Sequence, residues 1–419
     1  MNTNRLFIAV AIMAMIVMTA APVSATNGYF LHGIGAKSKG MAGAGVALPQ
    51  STLDAASNPA TLPWVEDRGN VGLALFNPNR NYNISGNPSM QPGTFGLTPG
   101  KVTSGSKLFP IPHFGMNWQL ENGGAFGVAL YGQGGMNTDY NTATFYGTTP
   151  TGVNLSQMYL AITYAHKLNE RNALSVTPTF AMQMFSMKGI QAFADFSEDE
   201  TALTNNGTDK AFGAGVRFGY LGQWTDQFAF GASFATKTYM SKFEDYAGLF
   251  AEEGGFTVPA NWTVGIAVKP SNKVTLAFDV QQILYEGIKS VSNPMSPAAF
   301  QQGILLGSDN GAGFGWENMT IAKFGLEIQA NEIWALRGGY SYGNCPIPDS
   351  EMMFNILAPG VISQHLTFGA SVGLPNGHGI DLATSFALTN SCKGPNAMDP
   401  AQTIEIEMNQ VDVEIGYSF

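Results

Sequence analysis

The chain has 419 residues and a formal net charge of −10; 12% of residues are charged, 11% are aromatic and Gly numbers 50. A set of soluble domains of that length would carry about a quarter charged residues, so the composition argues against a soluble multidomain protein. The acidic balance argues against nucleic acid as a partner. Two cysteines and five scattered histidines offer no zinc-ligand spacing, and no metal or cofactor is expected.

In chain order, residues 1–25 read as a secretory signal peptide. Arg5 supplies the positive start, Leu6 to Met18 is an apolar run, and Val23-Ser24-Ala25 gives small residues for cleavage. The run is short for a spanning helix, and no later segment reaches roughly 18 uninterrupted apolar residues. Residues 26–68 then lack sustained alternation. They are rich in Gly and Ala yet carry Phe30, Leu31, Ile34, Met41, Leu48, Leu53, Leu62 and Trp64, too apolar for a disordered tail. A plug folded into a lumen is expected there, and 69–419 is expected to form the wall.

Within 69–419 the dominant period is two, which sends alternate side chains to opposite faces of a strand. Phe212, Ala214, Val216, Phe218 and Tyr220 alternate with Gly213, Gly215, Arg217 and Gly219. Trp262–Val268, Leu276–Val280, Ala322–Ile328, Leu366–Val372 and Val411–Phe419 behave likewise. Short polar turns fall at Leu120–Gly124, Leu168–Asn172, Gln223–Gln227, Lys269–Lys273, Gln329–Glu332 and Leu374–Gly379. Long segments lie between them: Asn77–Pro110, Tyr131–Leu155, Ser186–Lys210, Thr236–Pro259, Glu286–Trp316, Tyr342–Ser363 and Thr389–Thr403. Regular exchange of short turns and long loops suits an outer-membrane barrel of about fourteen strands, not a sandwich. The fold class is therefore all-β: a fourteen-stranded antiparallel transmembrane β-barrel with an N-terminal hatch.

DAASNPATL (Asp54–Leu62), ALYGQGGMNTDY (Ala129–Tyr140), FEDYAG (Phe243–Gly248), VPANWTVGI (Val258–Ile266) and WALRGGYSYGNCPIP (Trp334–Pro348) occur in that order on the barrel pattern. This set resembles the FadL family of outer-membrane transporters for long-chain fatty acids and hydrocarbons. The resemblance implies apolar ligands captured in an external groove, a hatch that moves, and lateral release beside a kinked third strand. Fatty acids, alkanes or monoaromatics and outer-membrane lipids would be the partners, and a monomer is expected. No enzyme is implied: no nucleophile-elbow motif is present, and no histidine has an evident partner by sequence. A general porin, or a surface receptor or adhesin barrel, is the alternative.

The candidate sites follow from this reading. Asn58, Pro59 and Ala60 match the hatch motif, although Asn-Pro alone makes an ordinary turn. Gly132, Gly134 and Gly135 would shape a lateral gate, or simply end a strand. Ile190, Phe193, Phe196, Leu249, Phe250 and Phe256 would line a capture groove, or pack two loops together. Arg217, Lys323 and Arg337 fall on the inner face, where each could hold a carboxylate or pair with Asp279, Glu327 or Asp381; Arg337 also matches the family's late strand. Cys345 and Cys392 fall in the sixth and seventh long loops, as a disulfide or as two free thiols.

Overall fold

A computed structural model describes residues 27–66 and 68–419. The signal-peptide reading of residues 1–25 lies outside the described residues. Fourteen antiparallel strands form the wall. They are β1 (Arg68–Ser85), β2 (Phe109–Gln119), β3 (Gly124–Asp139), β4 (Gly152–Asn169), β5 (Asn172–Lys188), β6 (Asp209–Gly222) and β7 (Phe228–Ala235). Then follow β8 (Asn261–Ser271), β9 (Val274–Ile283), β10 (Met319–Gln329), β11 (Trp334–Gly343), β12 (Gln364–Gly373), β13 (Gly379–Asn396) and β14 (Asp399–Ser418). Each strand pairs with its sequence neighbour, and β14 returns to β1 from Asn70↔Ser418 to Ser85↔Thr403, which closes the barrel. Two short strands, Gly100–Thr103 and Tyr239–Met240, add to β1 and β6 in the long-loop region.

The period-two pattern does what it predicts. Phe212, Phe218, Phe278, Phe324, Phe368 and Ile415 face outward and exposed, while Arg217, Asp279, Lys323, Thr367 and Glu414 face inward and buried. Closure gives every strand two neighbours, so backbone groups within the ladders need no water in the hydrocarbon layer. All six short turns fall where the sequence puts them.

One long loop does not. Thr389–Thr403 is a hairpin: β13 runs to Asn396 and β14 begins at Asp399. Ile404, Ile406 and Met408 stay buried while Glu405 and Glu407 alternate with them, so the strand pattern continues through this segment. Cys392 therefore lies on β13, paired in register with Ile406, rather than in a loop.

Residues 27–66 fill the inner part of the lumen. They hold one helix, α1 (Ala36–Gly40), and 3-10 turns over Thr52–Ala56 and Pro59–Trp64. Ser51 begins the first turn as a capping box with Asp54, and Asn58 caps the second with Pro59 at its first position. Asn117 and Gln119 of β2 donate to the Leu62 and Val65 carbonyls, which fixes the chain where it passes into β1.

Candidate functional site: a stoppered gap in the wall

β2 and β3 pair only from His113↔Tyr131 to Gln119↔Ala125. Beyond that point β2 continues against β1 as far as Phe76↔Phe109, and β3 continues against β4 as far as Asp139↔Gly152. Residues 109–112 and 132–139 thus flank a stretch of wall with no ladder across it. Two of the four residues on the β2 side are Pro110 and Pro112, which have no N–H to leave unsatisfied in lipid. On the β3 side a bulge interrupts the register between Gly132 and Gly134.

The hatch takes the freed edge of β3. Leu31 N donates to Gln133 O at 2.8 Å, and Gly135 N donates to Tyr29 O at 3.0 Å. Gly134 lies between these bonds, and a Cβ there would sit 1.9 Å from Tyr29 O. A glycine is required because the hatch backbone passes where a side chain would be. Tyr29 packs on Tyr285 and Trp316 with ring centroids 5.3 and 5.9 Å away, and the Tyr285 hydroxyl donates to Asn27 O at 2.6 Å. Of the three glycines expected to shape a gate or end a strand, Gly132 and Gly134 border the bulge and Gly135 bonds the hatch.

Asn58 is fully buried and uses its whole amide. Its Nδ2 donates to Val46 O at 2.6 Å and to Tyr220 O of β6 at 2.9 Å, while its Oδ1 accepts from Ala60 N at 3.2 Å. Gly219 makes room, since a Cβ there would meet Asn58 Oδ1 at 2.3 Å. The Asn-Pro-Ala run is thus both a turn and a tether from hatch to wall.

The inner cations are all engaged. Arg217 donates to Ser57 O and Ser233 Oγ at 3.2 and 3.1 Å. Lys323 donates to His32 O at 3.1 Å and stands in register with Asp279, whose carboxylate accepts from Gly45 N and Val46 N. Arg337 pairs with Glu327 at 2.6 Å and donates to Ser371. Hatch carbonyls and lumen carboxylates hold these three residues, so none presents an uncommitted charge to a ligand head.

The strongest pairing escapes sequence reading. Lys39 of α1 is buried 2.8 Å from both Asp412 and Glu414 of β14. Burial alone would lower its pKa, but the two carboxylates outweigh that and push it up to about 12. Nothing local marks Lys39, because its partners lie more than 370 positions later in the chain. A cavity of about 60 Å³ remains between hatch and wall, lined by polar groups including Gln50, Gln133, Asn261, Asp279 and Lys323. It has room for about two waters.

The external loops close the other end. Phe193 lies 5.2 Å from Phe95 and 5.3 Å from Phe354; Phe250 lies 4.7 Å from Phe185 and 4.8 Å from Phe256; Phe196 lies 5.2 Å from Phe300. Ile190 and Leu249 are buried beside them. Of the two readings of these residues, a groove or packed loops, the structure shows them packed, largely against Phe95, Phe185, Phe300 and Phe354, because apolar loop residues that meet exclude water. The segment 352–362 caps this core, with Tyr140 donating to Ile356 O and Thr138 to Leu357 O. Cys345 and Cys392 are free thiols whose sulfurs lie 2.8 Å apart.

A closed fourteen-stranded barrel with its lumen occupied by its own N-terminal segment is an outer-membrane channel with a hatch. More closely, the chain belongs to the outer membrane protein transport family (OMPP1/FadL/TodX), whose model matches residues 16–409. Among solved structures it is similar to the Pseudomonas putida toluene transporter TodX, at TM-score 0.69 and 17% identity over 92% of this chain and 98% of that one. It is likewise similar to a Pseudomonas aeruginosa FadL homologue, at TM-score 0.69 and 13% identity over 94% and 99%. The Ralstonia pickettii toluene transporter TbuX follows at TM-score 0.63 and 17% identity over 92% and 98%. At these identities the likeness is one of fold. A comparison with curated protein sequences finds no match.

Proposed function

We propose that this channel takes up small hydrophobic molecules passively, fatty acids, alkanes or monoaromatics among them, and releases them sideways into the bilayer between β2 and β3. The unpaired stretch of wall carries this reading, because its edge on β3 is bonded to the hatch and not to another strand. For the gap to open, the backbone bonds of residues 29–31 to β3 part, and the Tyr29 and Asn27 bonds to the Tyr285 hydroxyl part with them. The route straight down is unfavourable for an apolar solute: it would have to displace the hatch and pass Arg217, Asp279 and Lys323. Ile190, Phe193, Phe196, Leu249, Phe250 and Phe256 are the capture surface in this proposal. An apolar ligand entering the loop core exchanges one apolar contact for another, so the groove can open at small cost. Asn58, Pro59 and Ala60 hold the hatch, and Gly132, Gly134 and Gly135 shape the gate.

The test is uptake of labelled toluene and oleate by cells whose own channels are deleted. Wild type restores uptake over an empty vector, and Gly134→Trp, whose indole would occupy the hatch's place on β3, changes it at least tenfold while the barrel still folds. Uptake unchanged by Gly134→Trp removes the gate from this position. No uptake by wild type removes the transport reading altogether.

A further inference from the structure

One layer of the lumen is out of keeping with its surroundings. Gln157 of β4 and Gln183 of β5 are cross-strand partners, both buried, and Gln157 stands opposite Gly134 at the bulge. Neither end of either amide has a hydrogen-bond partner, and neither has the Tyr29 hydroxyl of the hatch. Buried polar groups are nearly always paired, so two facing amides without partners need an explanation. The backbone of Tyr29 is held beside them, because its carbonyl accepts from Gly135 next to the bulge. Its phenol is held well above the ordinary range, first by burial and then by the nearby phenols of Tyr285 and Tyr159, so it remains a neutral donor.

The layer above is apolar, and the layer below is aromatic, with the Tyr159 hydroxyl buried and unpartnered as well. Leu155 pairs with Phe185 on the outer side, where Phe185 meets the loop core, and Tyr159 pairs with Ala181 on the inner side. A ligand descending from the loops would have its apolar body in the first layer when its leading group reached the glutamines.

We propose that Gln157, Gln183 and Tyr29 form an uncharged hydrogen-bonding subsite, just inside the β3 bulge, for a hydroxyl or other neutral oxygen group on an otherwise apolar ligand. The inference rests on the transport reading above and narrows its substrate class. Amides and a phenol offer both donors and acceptors, which a hydroxyl satisfies and a hydrocarbon does not. A carboxylate is disfavoured, because Arg217, Lys323, Arg337 and Lys39 are each committed to hatch carbonyls, hydroxyls or acids. Such an unpaired set also discriminates: it stays unsatisfied when the ligand lacks the polar group.

p-Cresol and p-xylene differ only by a hydroxyl in place of a methyl, and they decide the matter. Their binding to the purified full-length protein is measured by titration calorimetry, with each ligand's partition into empty detergent micelles subtracted. Wild type is expected to favour p-cresol about tenfold, a factor one well-made hydrogen bond supplies. Gln157→Leu and Gln183→Leu each reduce that preference, and the double variant abolishes it without weakening p-xylene binding. Loss of an unpaired buried amide does not cost folding; if the variants nonetheless misfold, the wild-type ratio alone decides. Equal binding of both ligands by wild type, or a preference that survives the double variant, overturns the subsite and leaves transport standing. Binding of neither ligand overturns both.

Discussion

The two ends of the lumen are closed by opposite chemistry. The outer end is shut by aromatic side chains from several loops, with Phe193 packed on Phe354 and Phe250 on Phe185 and Phe256. The inner end is shut by the hatch, which is held through buried charge and amide hydrogen bonds: Lys39 to β14, Asn58 to β6, and Asp279 of β9 to the hatch backbone. An apolar solute can replace apolar contacts without loss, but it cannot replace an ion pair. The outer closure therefore yields to the ligand this channel would carry, and the inner one resists it. On the proposed function, the difference would direct the solute to the side, where the hatch backbone lies along the unpaired edge of β3.

Breaking the inner closure at its strongest point should have the largest effect. Lys39→Met leaves Asp412 and Glu414 as buried carboxylates without a cation, and removing one partner of such a group costs roughly 3–5 kcal/mol. Hydrogen exchange should show residues 27–66 losing protection while the wall keeps it, and planar bilayers should show new ion current. Hatch protection equal to wild type would mean that the ion pair does not hold it. The same pair gives a pH dependence. Lys39 titrates at about 12 in the folded chain against 10.5 ordinarily, so its contribution is complete below pH 10.5 and vanishes as pH rises through 12. Asp54 works in the same direction at lower pH, although here the neutral form is the one favoured. Burial raises it to about 6 against the donors Gln50, Ser51 and Thr61, so the neutral acid is favoured. Hatch protection factors should therefore rise as pH falls from 7 through 6.

The wall was readable because its signals are local. Alternation needs neighbours two residues apart, and a turn needs a handful of residues. The hatch was readable as a compact insert, but not its attachment: Lys39 and Asp412, or Gln157 and the bulge, are brought together only by closure of the barrel. Phe193, Phe196 and Phe250 were legible as apolar and in loops; that the loops bury one another depends on partners such as Phe95, Phe300 and Phe354, which no periodicity links to them. Thr389–Thr403 reads as a long segment between strands, yet Ile404 and Ile406 continue the strand alternation beneath the loop core.

A covalent lock on the outer end would sharpen the comparison further. Cys345 and Cys392 are close enough to join once an oxidant of the export compartment removes two electrons and two protons. In a chain-entropy treatment a bridge spanning 47 positions stabilises by roughly 4 kcal/mol. Protein exported under oxidising conditions should resist alkylation until reduced, and reduction should raise hydrogen exchange in residues 344–363. Free alkylation of both thiols without reductant would leave the outer closure resting on packing alone. Asn58→Ala has a smaller effect on the inner end. It strands the Val46 and Tyr220 carbonyls and the Ala60 amide, and loss of a cap costs about 1 kcal/mol. The variant should fold and insert while uptake falls severalfold; normal uptake would show that the hatch does not depend on this tether.

The smallest effect belongs to the residue that sequence and family pattern favoured most as a head-group ligand. Arg337 spends its guanidinium on Glu327 and Ser371, and Ser371 in turn donates to Asp381. Arg337→Ala would free a carboxylate that is already part-exposed and can find water, so the cost should stay within about 1 kcal/mol. Binding of oleate and of hexadecane should then shift together, by less than twofold. A loss confined to oleate would show that Arg337 leaves Glu327 to take a carboxylate. That result would place charge recognition at the inner end and make the polar closure part of the substrate route, not the barrier that diverts it.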